Sequence, residues 1–555
     1  MQFGLKPHAA SALRVEQPIE IASIDRQRLG PAADKPWRVE LLRAMSRGKI
    51  VGASSSSLLI LVASAALAFL AQIVTARLLG AEKFGVYASV LAWITTLGYV
   101  ATLGFNVSLL RFVSAYRATQ QWGLLRGVLK FSHNSTLVVA IILSVGVSAA
   151  LTVFGSELAL QTSQTTLLGL LAVPMIALHL VGAAAVRGFG SVAGSLWPER
   201  LLRDGTYLAL MTCMIVAGVA SDARVAMWAF LGGTVATLVA IRTLLASRWA
   251  NMPDAPLLSD RAGWLRPVPA LTLIMMVDNV MSRSGVMLLG VAGRHGDAGI
   301  FAAATAMSLL TALPRMAVGT AFAPSASALF ARDDHAGLQA LMAKSALLSL
   351  AGTMAVAVPL LVLAESLLAF FGPGFESGAS VIRILVIGQM FAAACGPQQH
   401  ILTMTGREWT GAVLYAASAI VNIACAVALM GPRGIEGVAC AMTASLIAWN
   451  GAMAFFIWKQ MKMYPGLYVA TSSARSDWTK DCWAEEPTAT NRAPEVETVR
   501  IATLENEICN RTGSAGCMPC NITETTLSKA AGDQAHRTRC PRRNRRKSAQ
   551  SKRKK

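Results

Sequence analysis

Charge is scarce in this sequence. Only 14% of its 555 residues are Asp, Glu, Lys or Arg, against roughly 25% in soluble domains. Acids are scarcer still, at 30 against 50 Lys and Arg, and aromatics reach 7%. Several classes fall away with these shortages. No cleavable signal peptide is expected, because residues 1–49 are polar, carry nine Lys or Arg, and precede the first apolar block near Ile50. The nine cysteines do not make a secreted framework. Cys213, Cys395, Cys425 and Cys440 sit in apolar segments, where a thiol acts as a small hydrophobe. Cys517-Met-Pro-Cys520, with Cys509, Cys540 and His536, fits no standard zinc spacing, so neither a metal nor any other cofactor is expected. The net charge of +20 does not point to nucleic acid. Eleven Lys or Arg and no acid fall in the final nineteen residues, the pattern of a solvated tail or of contact with anionic lipid.

What is present is apolar sequence in blocks. Hydrophobic residues make up 54% of the chain and mean hydropathy is +0.50. The blocks run to about 20 residues, the length that spans some 30 Å of hydrocarbon at 1.5 Å per residue. The expected fold class is therefore an all-α membrane protein. About twelve transmembrane helices are expected, near 52–74, 84–105, 135–155, 165–186, 206–221, 225–245, 268–292, 299–322, 345–371, 380–404, 411–430 and 435–458. Lys and Arg concentrate in the N-terminal arm and the even loops, through Arg111, Arg117, Arg126, Lys130, Arg187, Arg200 and Arg203 among others. By the positive-inside rule, both termini are expected in the cytoplasm.

An internal repeat divides the spans. Gly85-Val86-Tyr87-Ala88 recurs as Gly299-Ile300-Phe301-Ala302, 214 positions on; Phe154-Gly155 recurs as Phe371-Gly372, and Gly188 as Gly406. Two pseudo-symmetric six-helix bundles around a central cavity follow, related by an axis along the membrane normal. The expected organisation is a polar arm (1–49), an N-terminal bundle (50–246), a cytoplasmic linker (247–267), a C-terminal bundle (268–460) and a disordered basic tail (461–555).

These landmarks carry a resemblance. Ala76-Arg77-Leu78-Leu79-Gly80, Phe84-Gly85-Val86-Tyr87, Leu103-Gly104-Phe105 and Leu110-Arg111-Phe112-Val113 resemble the opening of the polysaccharide-biosynthesis flippases. That branch includes the O-antigen and exopolysaccharide translocases of the multidrug/oligosaccharidyl-lipid/polysaccharide superfamily. Phe371-Gly372-Pro373-Gly374-Phe375, Leu385-Val386-Ile387-Gly388-Gln389, Thr405-Gly406-Arg407 and Gly434-Ile435-Glu436-Gly437-Val438-Ala439 extend the likeness over residues 45–460. The resemblance implies a bacterial cytoplasmic-membrane carrier, not an enzyme, that moves a polyprenyl-diphosphate-linked oligosaccharide between leaflets. It also implies membrane lipids as partners, with a polysaccharide polymerase and glycosyltransferases nearby. The competing reading is a multidrug or small-metabolite antiporter of the same superfamily.

Ionisable groups inside a span are expensive and mark site candidates. Asp278, Asn279 and Arg283 lie together in the seventh span. Asp278 and Arg283 are five apart and do not share a helix face, whereas Asn279 and Arg283, four apart, do. Arg283 suits a diphosphate, or an interhelical salt bridge. Arg315 follows Pro314, where a lost backbone donor breaks the helix. Gln72 and Gln389 are candidate sugar contacts. Arg77, Arg111 and His179 are candidate gate or coupling residues, with an interhelical hydrogen bond as the plainer role for His179. Trp197, Trp264 and Trp409 read as interfacial belts.

Overall fold

The computed structural model describes residues 49–154, 160–219, 221–331, 334–404, 408–463 and 466. The expected arm up to residue 48 and residues 467–555 of the expected tail lie outside the described residues. So do the Cys517–Cys520 pair and the landmarks Gly155, Gly406 and Arg407.

All regular structure among the described residues is helical. Fourteen helices matter here: α1 Lys49–Ala101, α2 Phe105–Ala118, α3 Trp122–Phe154, α4 Leu160–Leu170, α5 Ala172–Gly188, α6 Arg203–Val216, α7 Ala223–Ala250, α8 Val268–Val291, α9 His295–Leu309, α10 Leu313–Ala331, α11 His335–Val362, α12 Ala379–Cys395, α13 Gln398–Met404 and α14 Glu408–Met461. Nine helical stretches among the described residues are long and apolar enough to cross a membrane, and the chain is a multi-pass membrane protein. Helices satisfy their own backbone groups, which hydrocarbon cannot do.

Two helices fold back on themselves. As a straight rod, the 53 residues of α1 would reach roughly 80 Å, far beyond a bilayer. At Gly80 the backbone takes φ 71° and ψ 170°, outside the helical region. Thr75 and Tyr87 stand on either side of this break, roughly 18 Å apart in a continuous helix. Both nevertheless touch Tyr207: the Thr75 and Tyr207 hydroxyls are 2.6 Å apart, and the Tyr87 and Tyr207 rings stack at 6.2 Å. Helix α14 repeats the device at Gly434, with φ 60°. A Cβ on Gly437 would strike the Leu429 carbonyl oxygen, eight residues back along the chain. The expected first and last pairs of spans are thus the arms of two hairpins. The fifth expected span falls on α6, whose fourteen residues follow a π-helical turn at Trp197–Leu202.

The halves α1–α7 and α8–α14 meet where α1 lies on α8 and α9. The repeat landmarks sit at this crossing. A Cβ on Gly85 would collide with the His295 carbonyl oxygen and stand 2.7 Å from the Gly299 amide nitrogen. Reciprocally, a Cβ on Gly299 would collide with the Ala81 carbonyl and stand 3.0 Å from the Gly85 nitrogen. Residues 81 and 295 are also 214 apart, so the contact maps onto itself when the copies are exchanged, as a pseudo-two-fold requires. Small residues let membrane helices approach this closely, and dispersion holds them there. Phe69 against Phe371 (5.9 Å) and Phe84 against Phe375 (6.1 Å) close the seam beside the crossing.

The segment 251–260 runs across the start of α3. The Leu258 amide donates to the Gly123 carbonyl at 3.2 Å, and Arg126 Nη2 bonds Asp254 at 2.9 Å. Trp264 does not sit in an interfacial belt: it is 1% exposed, and its Nε1 donates to the Tyr116 hydroxyl at 3.0 Å. The Phe131 ring lies 5.5 Å away, so the indole is drawn into an aromatic cluster that buries its ring and still satisfies its N–H.

Candidate functional site: two adjoining chambers

Two polar chambers open between the helices. The first, about 300 Å³, belongs mainly to the N half. Both arms of α1 contribute Gln72, Thr75 and Tyr87; α6 contributes Arg203, Asp204 and Tyr207; α8 adds Arg283. Arg203 reaches this position because the π turn re-aims the chain as it enters α6. Helix α7 then passes close beneath, where a Cβ on Gly233 would lie 2.7 Å from the Arg203 carbonyl. Arg203 Nε donates to Asp204 Oδ1 at 2.8 Å, so this cation is already paired. Arg283 makes no hydrogen bond or ion pair among the described residues. With two guanidiniums against one carboxylate, the chamber is cationic.

The second chamber, about 500 Å³, belongs to the C half. It is lined by Asp278 of α8, Arg315 of α10, Gln389 of α12, Gln398 and His400 of α13, and Tyr415, Trp449 and Asn450 of α14. Pro314 accounts for the placement of Arg315. The chain tightens into a 3-10 turn at Leu310–Ala312 just before it, and the Thr353 hydroxyl donates to the Thr311 carbonyl at 3.0 Å. The Tyr415 hydroxyl donates to Asp278 Oδ1 at 3.1 Å, and the Tyr415 and Trp449 rings lie 4.8 Å apart. One guanidinium and one carboxylate leave this chamber without net charge. Ser282, Thr305 and Leu309 line both chambers and form the neck between them.

Residues 52–250, from α1 to the end of α7, match the sequence model of a family described as "Polysaccharide biosynthesis protein". The match takes in the N-terminal helices, and it is this part of the chain that is similar to that family. No curated protein matches it. Among solved structures, it is similar to an inward-facing multidrug resistance MATE family transporter of the MOP superfamily. The TM-score is 0.60 at 14% identity, covering 72% of this chain and 94% of that one. It is also similar to the lipid II flippase MurJ in an inward closed conformation, at TM-score 0.55 and 14% identity, covering 74% and 88%. An outward-facing MATE structure follows at 0.54, with 15% identity over 73% and 93%. At such identities the likeness establishes the fold alone.

The structure separates the residues that the sequence grouped. Arg283 and Gln72 line the N chamber, whereas Asp278, Arg315 and Gln389 line the C chamber. Asp278 and Arg283 form no salt bridge; five residues of helical turn send them to different chambers. Asn279 lies in neither: it is buried, and its amide donates to the Met275 carbonyl of its own helix at 3.0 Å. His179 likewise bonds its own helix, at Met175, not a neighbouring one, because the carbonyl four residues back is within reach of Nδ1 (3.1 Å). Arg77 and Arg111 are exposed and outside both chambers. Arg203 is a correction to the reading that placed it in a positive loop. The sequence carried a signal for it, an Arg-Asp pair at the foot of a short apolar block. Asn450 and Trp449 carried one too, an amide and an indole within the last span.

Proposed function

We propose that the protein is a carrier that moves a polyprenyl-diphosphate-linked oligosaccharide across the bacterial cytoplasmic membrane, with both termini in the cytoplasm. The observation that carries this reading is the cationic N chamber with Arg283 unpaired at its wall. Sugars and diphosphates do not cross hydrocarbon unaided, since each buried unpaired polar group costs several kcal/mol. A polar chamber between two bundles removes that cost while the prenyl chain stays in lipid. Arg283 and Gln72, with Arg203, are the proposed head-group contacts, because a guanidinium fork matches phosphate oxygens. Membrane lipids flank the carrier, and a polymerase and glycosyltransferases would supply and consume its cargo.

A strain lacking the protein is expected to lose a surface polysaccharide and to accumulate lipid-linked repeat units on the cytoplasmic leaflet. Normal polymer without an accumulated intermediate would refute the reading. A second reading, export of small cations, draws support from the carboxylate of Asp278 in the C chamber and from the MATE-like fold. Drug-susceptibility profiling of the same strain separates the two, since only the second predicts hypersensitivity without polysaccharide loss.

A further inference from the structure

The C chamber is chemically unlike the N chamber, and the transport of a charged head group does not call for it. Gln398 is 2% exposed, yet neither its amide oxygen nor its amide nitrogen has a partner among the described residues. The Gln389 amide oxygen, the Trp449 indole nitrogen and Arg315 Nε are buried and unpartnered in the same way. Five such atoms around one chamber are anomalous, because a buried polar group left unmade costs about 1–3 kcal/mol and native structures keep few of them. They are donors and acceptors together, set beside the Tyr415 and Trp449 rings, which meet at 44°. Asp278 and Arg315 add one acceptor and one set of donors of opposite charge.

A ligand that satisfies this wall must be uncharged overall, rich in hydroxyls that both donate and accept, and equipped with an apolar face for an aromatic ring. A sugar ring has all three properties. A diphosphate, which only accepts, leaves the Gln398 and Gln389 oxygens unpaired. We infer that the C chamber is a saccharide-binding compartment, with Gln398, Gln389 and Trp449 as its specificity contacts, and that cargo lies across the neck with its diphosphate in the N half and its glycan in the C half. Ser282 and Thr305 then flank the sugar–phosphate linkage. This inference rests on the carrier function proposed above.

The test uses the full chain in lipid nanodiscs. A fluorescent farnesyl diphosphate reports head-group binding. The lipid-linked saccharide fraction extracted from the protein's own source cells competes against it and reports glycan recognition. Gln398→Ala and Trp449→Phe are expected to leave the affinity for the fluorescent probe within twofold and to weaken competition by the extract about tenfold each, the loss of roughly one hydrogen bond. The conservative Trp449→Phe keeps an aromatic ring against Tyr415 and removes the indole N–H, and unchanged affinity for the probe shows that the variant is folded. Arg283→Gln is expected to weaken probe and extract in parallel. Equal loss for both ligands in the C-half variants, or no loss for either, overturns the inference and leaves the carrier function standing. A wild-type protein that binds neither ligand overturns both.

Discussion

The N and C chambers are built on two copies of one backbone pattern, yet they share little chemistry. At the crossing both copies keep glycine, because Gly85 and Gly299 each face the other's main chain and neither position has room for a Cβ. Away from it, equivalent positions diverge. Tyr87 lines the N chamber and stacks on Tyr207, whereas its counterpart Phe301, 214 residues on, is 1% exposed and covers Gly285. A hydroxyl appears where the position meets the cavity and disappears where it meets the core. Where the copies touch, sterics admit only glycine; where side chains face open volume, no such constraint acts. One chamber is cationic and the other rich in amides and aromatics.

The symmetric part of this comparison yields the largest expected effect. Gly85→Leu and Gly299→Leu should each abolish accumulation of folded protein, because overpacking costs about 1–3 kcal/mol even where side chains can yield, and here the obstacle is backbone. Gly296→Ala, with nothing within 4 Å of its Cβ, is the control. Size-exclusion profiles in detergent decide it. A tolerated Gly299→Leu beside a lethal Gly85→Leu would break the pseudo-two-fold.

The asymmetric part comes next. Arg283→Gln removes the unpaired cation of the N chamber and should weaken binding of a prenyl diphosphate about 10- to 100-fold, as loss of a charge-assisted contact worth about 1.5–3 kcal/mol implies. Arg315→Gln, in the chamber where Asp278 offsets it, should change the same affinity less than threefold. Titration of both variants with one probe measures the contrast directly. Equal losses would show that the chambers act as one cationic site.

The sequence made the fold legible because bilayer thickness prints itself on chain length. Blocks near Ala71 and Ala426 announced spans, and Gly85 and Gly299 announced the repeat. The chambers were half legible. Arg283 and Asp278 stood out as charges within apolar runs, and the five-residue spacing forecast that they would not pair. The destination of each was hidden, since which face of α8 meets which neighbour depends on packing with α1, α9 and α14. Asn279 and His179 looked exposed to function for the same reason. A side chain that bonds the carbonyl four residues back is invisible in a pattern of polar letters. Gln398 was hidden by its place after the Gly396 break (φ 78°), where hydropathy reads only the end of a span.

A smaller effect probes the C chamber from within. Tyr415→Phe and Asp278→Asn each disturb the 3.1 Å bond that ties α14 to α8. Each should cost about 1 kcal/mol of stability, the ordinary net worth of one such bond. The double variant should cost little more than either single one, because the two groups serve one interaction. Thermal unfolding in one detergent gives the four corners of the cycle. Additive losses would mean that the pair does not hold the chamber wall.

The smallest effect asks whether the halves can be perturbed separately. Trp264 fastens the stretch that enters α8 onto the N half through Tyr116 and Phe131, well away from either chamber. Trp264→Phe keeps the ring and removes one neutral hydrogen bond, so it should lower stability by about 1 kcal/mol or less. Affinity for the farnesyl diphosphate probe should not move, because Trp264 lines neither chamber. A shift in that affinity without loss of fold would mean that the linker positions α8, and with it Arg283. The N chamber's charge would then depend on how the second half is tethered, and the two chambers would no longer be independent neighbours across a shared neck.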